Sequence, residues 1–120
     1  MIRVLYVEDN EDNVYMLSER LRRKGYEVVV ARNGAQGVAM AESEQPAVIL
    51  MDLDLPVVNG WDATRRIKGS PHTRHIPVVA LSAHAMSTDK DKALEAGCDE
   101  FETTPVDLPR LLTKIERLTG

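Results

Sequence analysis

Four acidic residues stand directly after two short apolar runs of this chain. Glu8 and Asp9 follow a run at the start of the chain, and Asp52 and Asp54 follow a second run, "VILM". If the two runs are neighbouring strands of a parallel sheet, these carboxylates meet at one edge of it. At an effective dielectric constant of about 20, two carboxylates ~4 Å apart repel by on the order of 4 kcal/mol, which protonation or a bound cation relieves. Because carboxylate, carbonyl and water oxygens suit Mg²⁺, the convergent carboxylates predict a magnesium site.

Simpler explanations are available for some of these polar residues. An aspartate after a buried strand often caps a helix or turns a loop, and this explanation is favoured for Asp54 and Asp12 taken singly. It does not account for Glu8, Asp9 and Asp52 together. The convergent set therefore remains the candidate for chemistry.

Other residues near the predicted strand ends carry less information. Ser82 follows the fourth apolar run, but serine ends many strands, so it is weak support for a site when taken alone. Trp61 is interpreted as a packing residue of the third helix. The histidines are interpreted as solvated loop residues rather than metal ligands: His72, His75 and His84.

Alternating strands and helices must bring these residues together. Apolar runs rich in β-branched residues predict strands at 2–7, 28–31, 47–51, 77–81 and, more weakly, around Phe101. Helical spacing of apolar residues predicts helices at 13–24, 34–44, 60–68, 87–96 and after the cap residue Asp107. Five alternations predict a parallel sheet covered on both faces, with ligands at the carboxyl ends of the strands. If the strand order is 2-1-3-4-5, Asp9 and Asp52 face each other where that order reverses.

Several residues predict where individual helices begin and end. Acidic residues at its start and basic residues at its end favour the first helix, which is predicted to stop at Gly25. Ser87 or Thr88 is expected to cap the fourth helix and Gly97 to end it. Pro109 is expected in the first turn of the last helix.

Length and composition limit the possible classes of protein. A chain of 120 residues with 43% hydrophobic residues and no repeat predicts a single globular domain, 1–120. The formal net charge of -4 does not favour nucleic acid or an anionic membrane as a direct partner. One cysteine, Cys98, excludes an internal disulfide. The first residues contain neither a signal peptide nor a membrane-spanning run, so a cytoplasmic location is expected.

Five segments, in their order and spacing, resemble one known family. They are "YVEDN", "ILMDLDLPVVNG", "VVALSAHA", "AGCDEF" and the proline of "TTP". Together they resemble the receiver domain of bacterial two-component response regulators, and the resemblance covers essentially the whole chain. It implies a flavodoxin-like, doubly wound five-stranded parallel sheet in the order 2-1-3-4-5, with five helices.

The resemblance implies a phosphoryl-accepting site. Asp52 would be the phosphoacceptor, taking the group from a histidine kinase or phosphotransfer protein, with self-phosphorylation and autodephosphorylation rather than conventional enzyme turnover. Asp9 would bind Mg²⁺ directly and Glu8 through water, with Asp52 and the backbone carbonyl of Asp54 as further ligands. Because a carboxylate is a weak nucleophile, such a reaction depends on positioning and on neutralising charge.

The resemblance also implies a conformational switch. Ser82 would donate a hydrogen bond to the phosphoryl group. Phe101 would then change rotamer beneath the face formed by helix 4, strand 5 and helix 5, where an output partner would bind. Because Phe101 lacks the hydroxyl of the tyrosine often found there, its part in the switch would be steric.

One position departs from the family pattern. The family places a lysine before the proline, where it pairs with a phosphoryl oxygen, but this chain has Thr104 before Pro105, with a cis bond expected between them. Glu102 adds a further negative charge to this segment. A lost charge-assisted hydrogen bond of ~1.5 to 3 kcal/mol is large against the ~5.5 kcal/mol that a complete two-state shift requires. We therefore expect phosphorylation at Asp52 with weakened switching, the alternative being a degenerate receiver that binds partners without phosphate.

Two other classes of protein share parts of this pattern. "DLDLP" fits the Asp-x-Asp signature of phosphatases resembling haloacid dehalogenases, but there the signature follows the first strand of a longer chain with a cap domain. A flavodoxin-like flavin carrier needs a phosphate-cradling loop after the first strand, where "EDNEDN" would repel phosphate. Both classes are therefore less favoured than the receiver.

Overall fold

Strands and helices alternate along the chain in the computed structural model, which describes residues 1–55, 58–83 and 87–120 and, for 87–89, the backbone alone. The strands are β1 Arg3–Val7, β2 Glu27–Ala31, β3 Val48–Asp52, β4 Val78–Ser82 and β5 Glu100–Thr103. The helices are α1 Glu11–Arg23, α2 Gly34–Glu44, α3 Gly60–Gly69, α4 Ser87–Glu95 and α5 Leu108–Thr119. His84 and the proposed capping side chains of Ser87 and Thr88 lie outside the described residues.

The strands form one parallel sheet in the order β2-β1-β3-β4-β5. The predicted fold class is therefore confirmed. The strand order reverses between β1 and β3, and a crevice at such a reversal is where ligands bind in open α/β sheets. The register of the ladders brings the carboxyl ends of the strands to one edge of the sheet. The last paired residues are Val7 with Met51, Asp52 with Leu81, and Ser82 with Thr103.

Three boundaries differ from the sequence prediction in a way that affects the site. Helix α1 begins at Glu11, two residues earlier than predicted, because the side chain of Asn10 accepts a hydrogen bond of 3.0 Å from the backbone N–H of Asn13 and caps the helix. Strands β3 and β4 each extend one residue further than predicted. Asp52 and Ser82 are thus the last residues of strands rather than the first residues of loops.

The start of α5 and the end of α4 follow the prediction more closely. Asp107 caps α5 by accepting a hydrogen bond of 3.1 Å from the backbone N–H of Arg110, and Pro109 lies in the first turn. Gly97 follows α4 with a positive φ of 107°, a conformation that costs glycine least. These capping predictions are confirmed.

Apolar side chains cover both faces of the sheet. Alternate residues of β3 point to opposite sides, with Ile49 and Met51 in the layer under α2, α3 and α4, and Leu50 in the layer under α1 and α5. All three are fully buried, and complete burial of such side chains stabilises a fold by roughly 1.5 to 3 kcal/mol each. This packing fixes the end of β3. No helix within the described ranges is long and apolar enough to cross a membrane.

Candidate functional site

Three carboxylates converge at the carboxyl ends of β1 and β3. Because Val7 pairs with Met51, Glu8 and Asp52 follow at the same level on neighbouring strands. One oxygen from each of Glu8, Asp9 and Asp52 lies within 4.8 Å of the others. The structure therefore brings together the three residues that the sequence singled out.

Glu8 is held firmly in this cluster and is only 6% exposed. Its Oε1 accepts hydrogen bonds from Asn13 Nδ2 at 3.2 Å and from the hydroxyl of Tyr6 at 3.4 Å. Its Oε2 accepts from the backbone N–H groups of Asp9 at 3.1 Å and Asn10 at 3.4 Å. The orientation of the Glu8 carboxyl group is thus set by both β1 and the start of α1.

The electrostatic environment of Glu8 disfavours a second negative charge. Burial, followed by a hydrogen bond with Asp52 and repulsion from its charge, raises the pKa of Glu8 to about 7. The hydrogen bonds from Asn10 and Asn13 oppose this rise without cancelling it. A divalent cation bound by oxygen ligands would relieve the same repulsion, so the donor set fits Mg²⁺.

Asp52 is positioned by the turn that follows it and by the start of α3. Its Oδ1 accepts a hydrogen bond of 3.0 Å from the backbone N–H of Asp54, which is exposed. Gly60, the first residue of α3, lies so close that a Cβ there would overlap the backbone oxygen of Asp52. The N–H of Gly60 also donates to the carbonyl of Leu53 at 3.2 Å. Helix α3 is therefore packed directly against the strand end that carries Asp52.

Ser82 and Thr104 lie at the ends of the next two strands. Ser82 is buried at the end of β4, and its carbonyl accepts a hydrogen bond of 2.9 Å from the backbone N–H of Thr104. The Thr104–Pro105 bond is cis, as expected. Thr104 also lines a cavity of about 410 Å³ whose wall includes Glu8, Asn13 and Pro105. The neutral residue Thr104 thus shares this cavity with Glu8.

Phe101 and Glu102 lie on opposite faces of β5. Phe101 is buried in the layer under α2, α3 and α4, away from the cavity wall, and pairs in register with Ala80. The sequence suggested that Glu102 adds an uncompensated negative charge, but the structure shows that Glu102 is paired. Its side chain is 2% exposed and forms ion pairs with Lys114 at 2.9 Å and with Arg110 at 3.4 Å. The prediction of a more acidic segment was wrong because α5 supplies the opposite charges.

The family model for the response regulator receiver domain matches residues 4–116. This chain belongs to the response regulator receiver domain family. The receiver domain is 36% identical over 117 residues to the polar-differentiation response regulator DivK of Brucella anthropi, covering 98% of this chain and 95% of that protein.

Solved structures of other receiver domains superpose closely on this one. The receiver domain of sensor histidine kinase PA1611 from Pseudomonas aeruginosa PAO1 has a TM-score of 0.92 and 35% identity, covering 99% of this chain and 98% of that chain. Its crystal structure has a magnesium ion coordinated in the active site cleft. A second match, with a TM-score of 0.89 and 34% identity over 98% of this chain and 88% of that chain, comes from a Saccharomyces cerevisiae co-crystal structure. That structure contains the histidine phosphotransfer protein Ypd1 and the receiver domain of its downstream response regulator Ssk1.

Sequence reasoning missed three residues that shape the site of this receiver domain. Tyr6 and Asn13 both donate to Glu8, and Gly60 allows the close approach of α3 to Asp52. Tyr6 could have been noticed as the one hydroxyl-bearing residue in the run 2–7. Asn13 and Gly60 carried weaker signals, because polar residues and glycines are common at helix starts for reasons of capping alone.

Proposed function

We propose that this receiver domain, residues 1–120, accepts a phosphoryl group on Asp52 in a reaction that requires Mg²⁺. The observation that carries the proposal is the convergence of Glu8, Asp9 and Asp52 within 4.8 Å at the point where the strand order reverses. The phosphoryl donor is a histidine kinase or a histidine phosphotransfer protein, a choice supported by the yeast relative that was crystallised with such a protein.

The chain's own residues supply the nucleophile and its orientation. The N–H of Asp54 holds Oδ1 of Asp52, and a carboxylate oxygen of Asp52 forms the new bond to phosphorus as the bond between phosphorus and the donor breaks. The broken bond's electron pair leaves with the donor. Mg²⁺, when bound, would neutralise charge on the transferring group. Asp9 and Asp52 would hold it directly, Glu8 through water, and the backbone carbonyl of Asp54 would complete the protein ligands.

The coupling of phosphorylation to conformation is proposed to be weak. Ser82 donates a hydrogen bond to the phosphoryl group, and Phe101 responds by moving within the core beneath the face formed by α4, β5 and α5, where the output partner binds. Thr104 offers no charge at the position next to the acidic cluster. A missing charge-assisted hydrogen bond would leave ~1.5 to 3 kcal/mol less to drive the switch.

Mass spectrometry after exposure to acetyl phosphate with Mg²⁺ tests the phosphoacceptor. The wild type and the Asp54→Asn control should each gain one phosphoryl group, and Asp52→Asn should gain none because an amide lacks the nucleophilic oxygen. Phosphoryl label in Asp52→Asn, or mapped to Asp54, would contradict the assignment and favour phosphatase-like chemistry. An unmodified wild type that still binds its partner would instead favour the degenerate receiver.

A metal titration tests the proposed ligands separately. Mg²⁺ should bind in the millimolar to submillimolar range, roughly as expected for a site with few protein ligands, and Asp9→Asn should bind it more weakly. Asp12→Asn, which removes an exposed carboxylate of the same helix start, serves as the control. The titration is monitored by NMR. Equal Mg²⁺ affinity in the wild type and Asp9→Asn would show that Asp9 is not a ligand.

A further inference from the structure

Helices α3 and α4 meet through a contact between an aromatic ring and a cation. The ammonium nitrogen of Lys92 lies 5.6 Å from the centre of the Trp61 ring. At this distance the negative face of the ring attracts the positive charge. The indole N–H of Trp61 is buried and has no acceptor within the part of the chain that the structure describes. The ring is therefore held by packing and by the contact of its face with Lys92, and not by its polar edge.

Among the side chains that the structure describes, helix α4 buries little apolar surface. Of its side chains at 90–95, Ala93 alone is buried, and Leu94 is 44% exposed. A buried alanine removes much less apolar surface from water than a leucine or isoleucine does. By comparison, α5 buries both Leu111 and Ile115. A contact between a cation and a ring contributes a few tenths of the energy of burying a large apolar side chain. Such a contact therefore makes up a larger share of the interactions that hold α4 than it would for α5.

The contact between Trp61 and Lys92 is linked to the proposed phosphoacceptor site through the start of α3. Gly60 packs against the backbone of Asp52, and Trp61 is the next residue of α3. Trp61 also packs against the apolar layer that contains Phe101 and Ala93. A displacement of the end of β3 would therefore move the ring against which Lys92 rests.

We propose that Trp61 and Lys92 form a latch that holds α4 in its resting position and opposes its movement when Asp52 is modified. Movement of α4 would separate Lys92 from the Trp61 ring, so the contact stabilises the resting position. The latch regulates the proposed function. It rests on that function, because the ligand at Asp52 is the phosphoryl group that the proposed reaction supplies. Because coupling between two sites is reciprocal, a contact that favours the resting state must weaken the binding of a ligand that favours the other state.

Hydrogen exchange of the α4 amides in the unmodified protein tests the latch directly. Lys92→Gln removes the charge and should speed the exchange of the amides at 90–95 by about two- to fivefold, the factor expected for an exposed contact between a cation and a ring. Lys92→Arg keeps the charge and should exchange like the wild type. Lys90→Gln removes an exposed charge from the same helix and serves as the matched control.

Binding of beryllofluoride with Mg²⁺, measured by ¹⁹F NMR, tests the coupling. Lys92→Gln should bind this phosphoryl mimic about two- to fivefold more tightly than the wild type, and Lys90→Gln should not. Equal exchange in the wild type and Lys92→Gln, or equal effects of Lys92→Gln and Lys90→Gln, would overturn the latch. If beryllofluoride bound to no variant, the proposed function would fail, whereas the exchange comparison would still decide whether the contact holds α4.

Discussion

Glu8 combines burial with four hydrogen bonds and a neighbouring negative charge. Its carboxyl group accepts from Tyr6, Asn13 and two backbone N–H groups, yet its pKa is raised to about 7 because burial and Asp52 favour the protonated form. In the absence of a cation, a proton on Glu8 therefore stabilises the site at acidic pH. A bound divalent cation would favour the ionised form of Glu8.

The first prediction concerns the pH dependence of stability in EDTA. The pKa of Glu8 in the folded protein, about 7, lies above its ordinary value of 4.5, so its protonation favours the folded state. This contribution is fully present below the ordinary value and is lost as the pH rises through about 7. The free energy of unfolding of the metal-free protein, measured with urea, should therefore fall over this range.

Two variants separate Glu8 from the other acids of the chain. Glu8→Gln should flatten the pH dependence, and Glu42→Gln, an exposed position on α2, should leave it as in the wild type. Adding Mg²⁺ to the wild type should also remove the loss of stability near neutral pH. An unchanged slope in Glu8→Gln would assign the titration to another group.

At the scale of elements, the start of α3 and the end of β3 form a single packed unit. Gly60→Ala would place a Cβ against the backbone of Asp52 and should cost about 1 to 3 kcal/mol of stability. At Gly69, at the other end of the same helix, a Cβ would meet nothing within 4 Å, so Gly69→Ala should be neutral or gain up to about 1 kcal/mol. Urea unfolding of both variants checks this, and equal effects would show that the contact with Asp52 does not limit the approach of α3.

Strand β5 and helix α5 are joined by a buried ion pair. Lys114 donates to the carbonyl of Phe101 at 2.7 Å and to Glu102 at 2.9 Å, and the side chain of Glu102 is 2% exposed. This pairing accounts for a buried glutamate on the face of β5 that α5 covers. Removing one partner of a buried pair leaves the other charge without compensation.

The third prediction follows from this pair. Lys114→Met should destabilise the protein by about 3 kcal/mol in urea unfolding, because Arg110 alone is too exposed and too distant to replace the lysine fully. Arg117→Met is the control, since Arg117 is 62% exposed and 3.6 Å from Glu100, and it should cost less than about 1 kcal/mol. A small effect of Lys114→Met would mean that Arg110 compensates Glu102.

At the scale of the whole molecule, the carboxyl ends of the five parallel strands share one edge of the sheet, and the residues of the proposed site lie at four of them. The site receives acids from β1 and β3, Ser82 from β4, and the neutral Thr104 from the segment after β5. The segment after β5 thus places the neutral Thr104 at the position where the resemblance to the family implies a lysine. The proposed weakness of the switch is a property of this arrangement.

Thr104→Lys tests that arrangement. A lysine would gain a phosphoryl partner only when Asp52 is phosphorylated, and ~1.5 to 3 kcal/mol would raise the ratio of active to resting protein by roughly ten- to a hundredfold in that state. NMR shifts of α4 and β5 with and without beryllofluoride should be larger in Thr104→Lys than in the wild type. The same lysine should weaken Mg²⁺ binding, since it competes for the same carboxylates. A wild type that already switches fully would contradict the proposed weakness.

The sequence alone determined the order of the elements and the set of acids at the strand ends. Runs of β-branched residues and helical spacing carry this information locally, and the alternation of strand and helix permits few topologies. The meeting of Glu8, Asp9 and Asp52 also required β1 and β3 to be neighbours, and that strand order came from the resemblance to the receiver family. The helix ends at Gly97 and Asp107 were equally readable, since capping depends on neighbouring residues.

How distant residues modify that pattern depends on the packing of the folded chain. Glu102 was interpreted as an added negative charge, but Lys114 neutralises it from another element. Gly60 and Trp61 predicted a helix start and a packing residue, whereas their contacts with Asp52 and Lys92 depend on how α3 and α4 pack on the sheet. Such contacts join residues far apart in the chain, so no local spacing encodes them, and their energies depend on burial that exists only after folding.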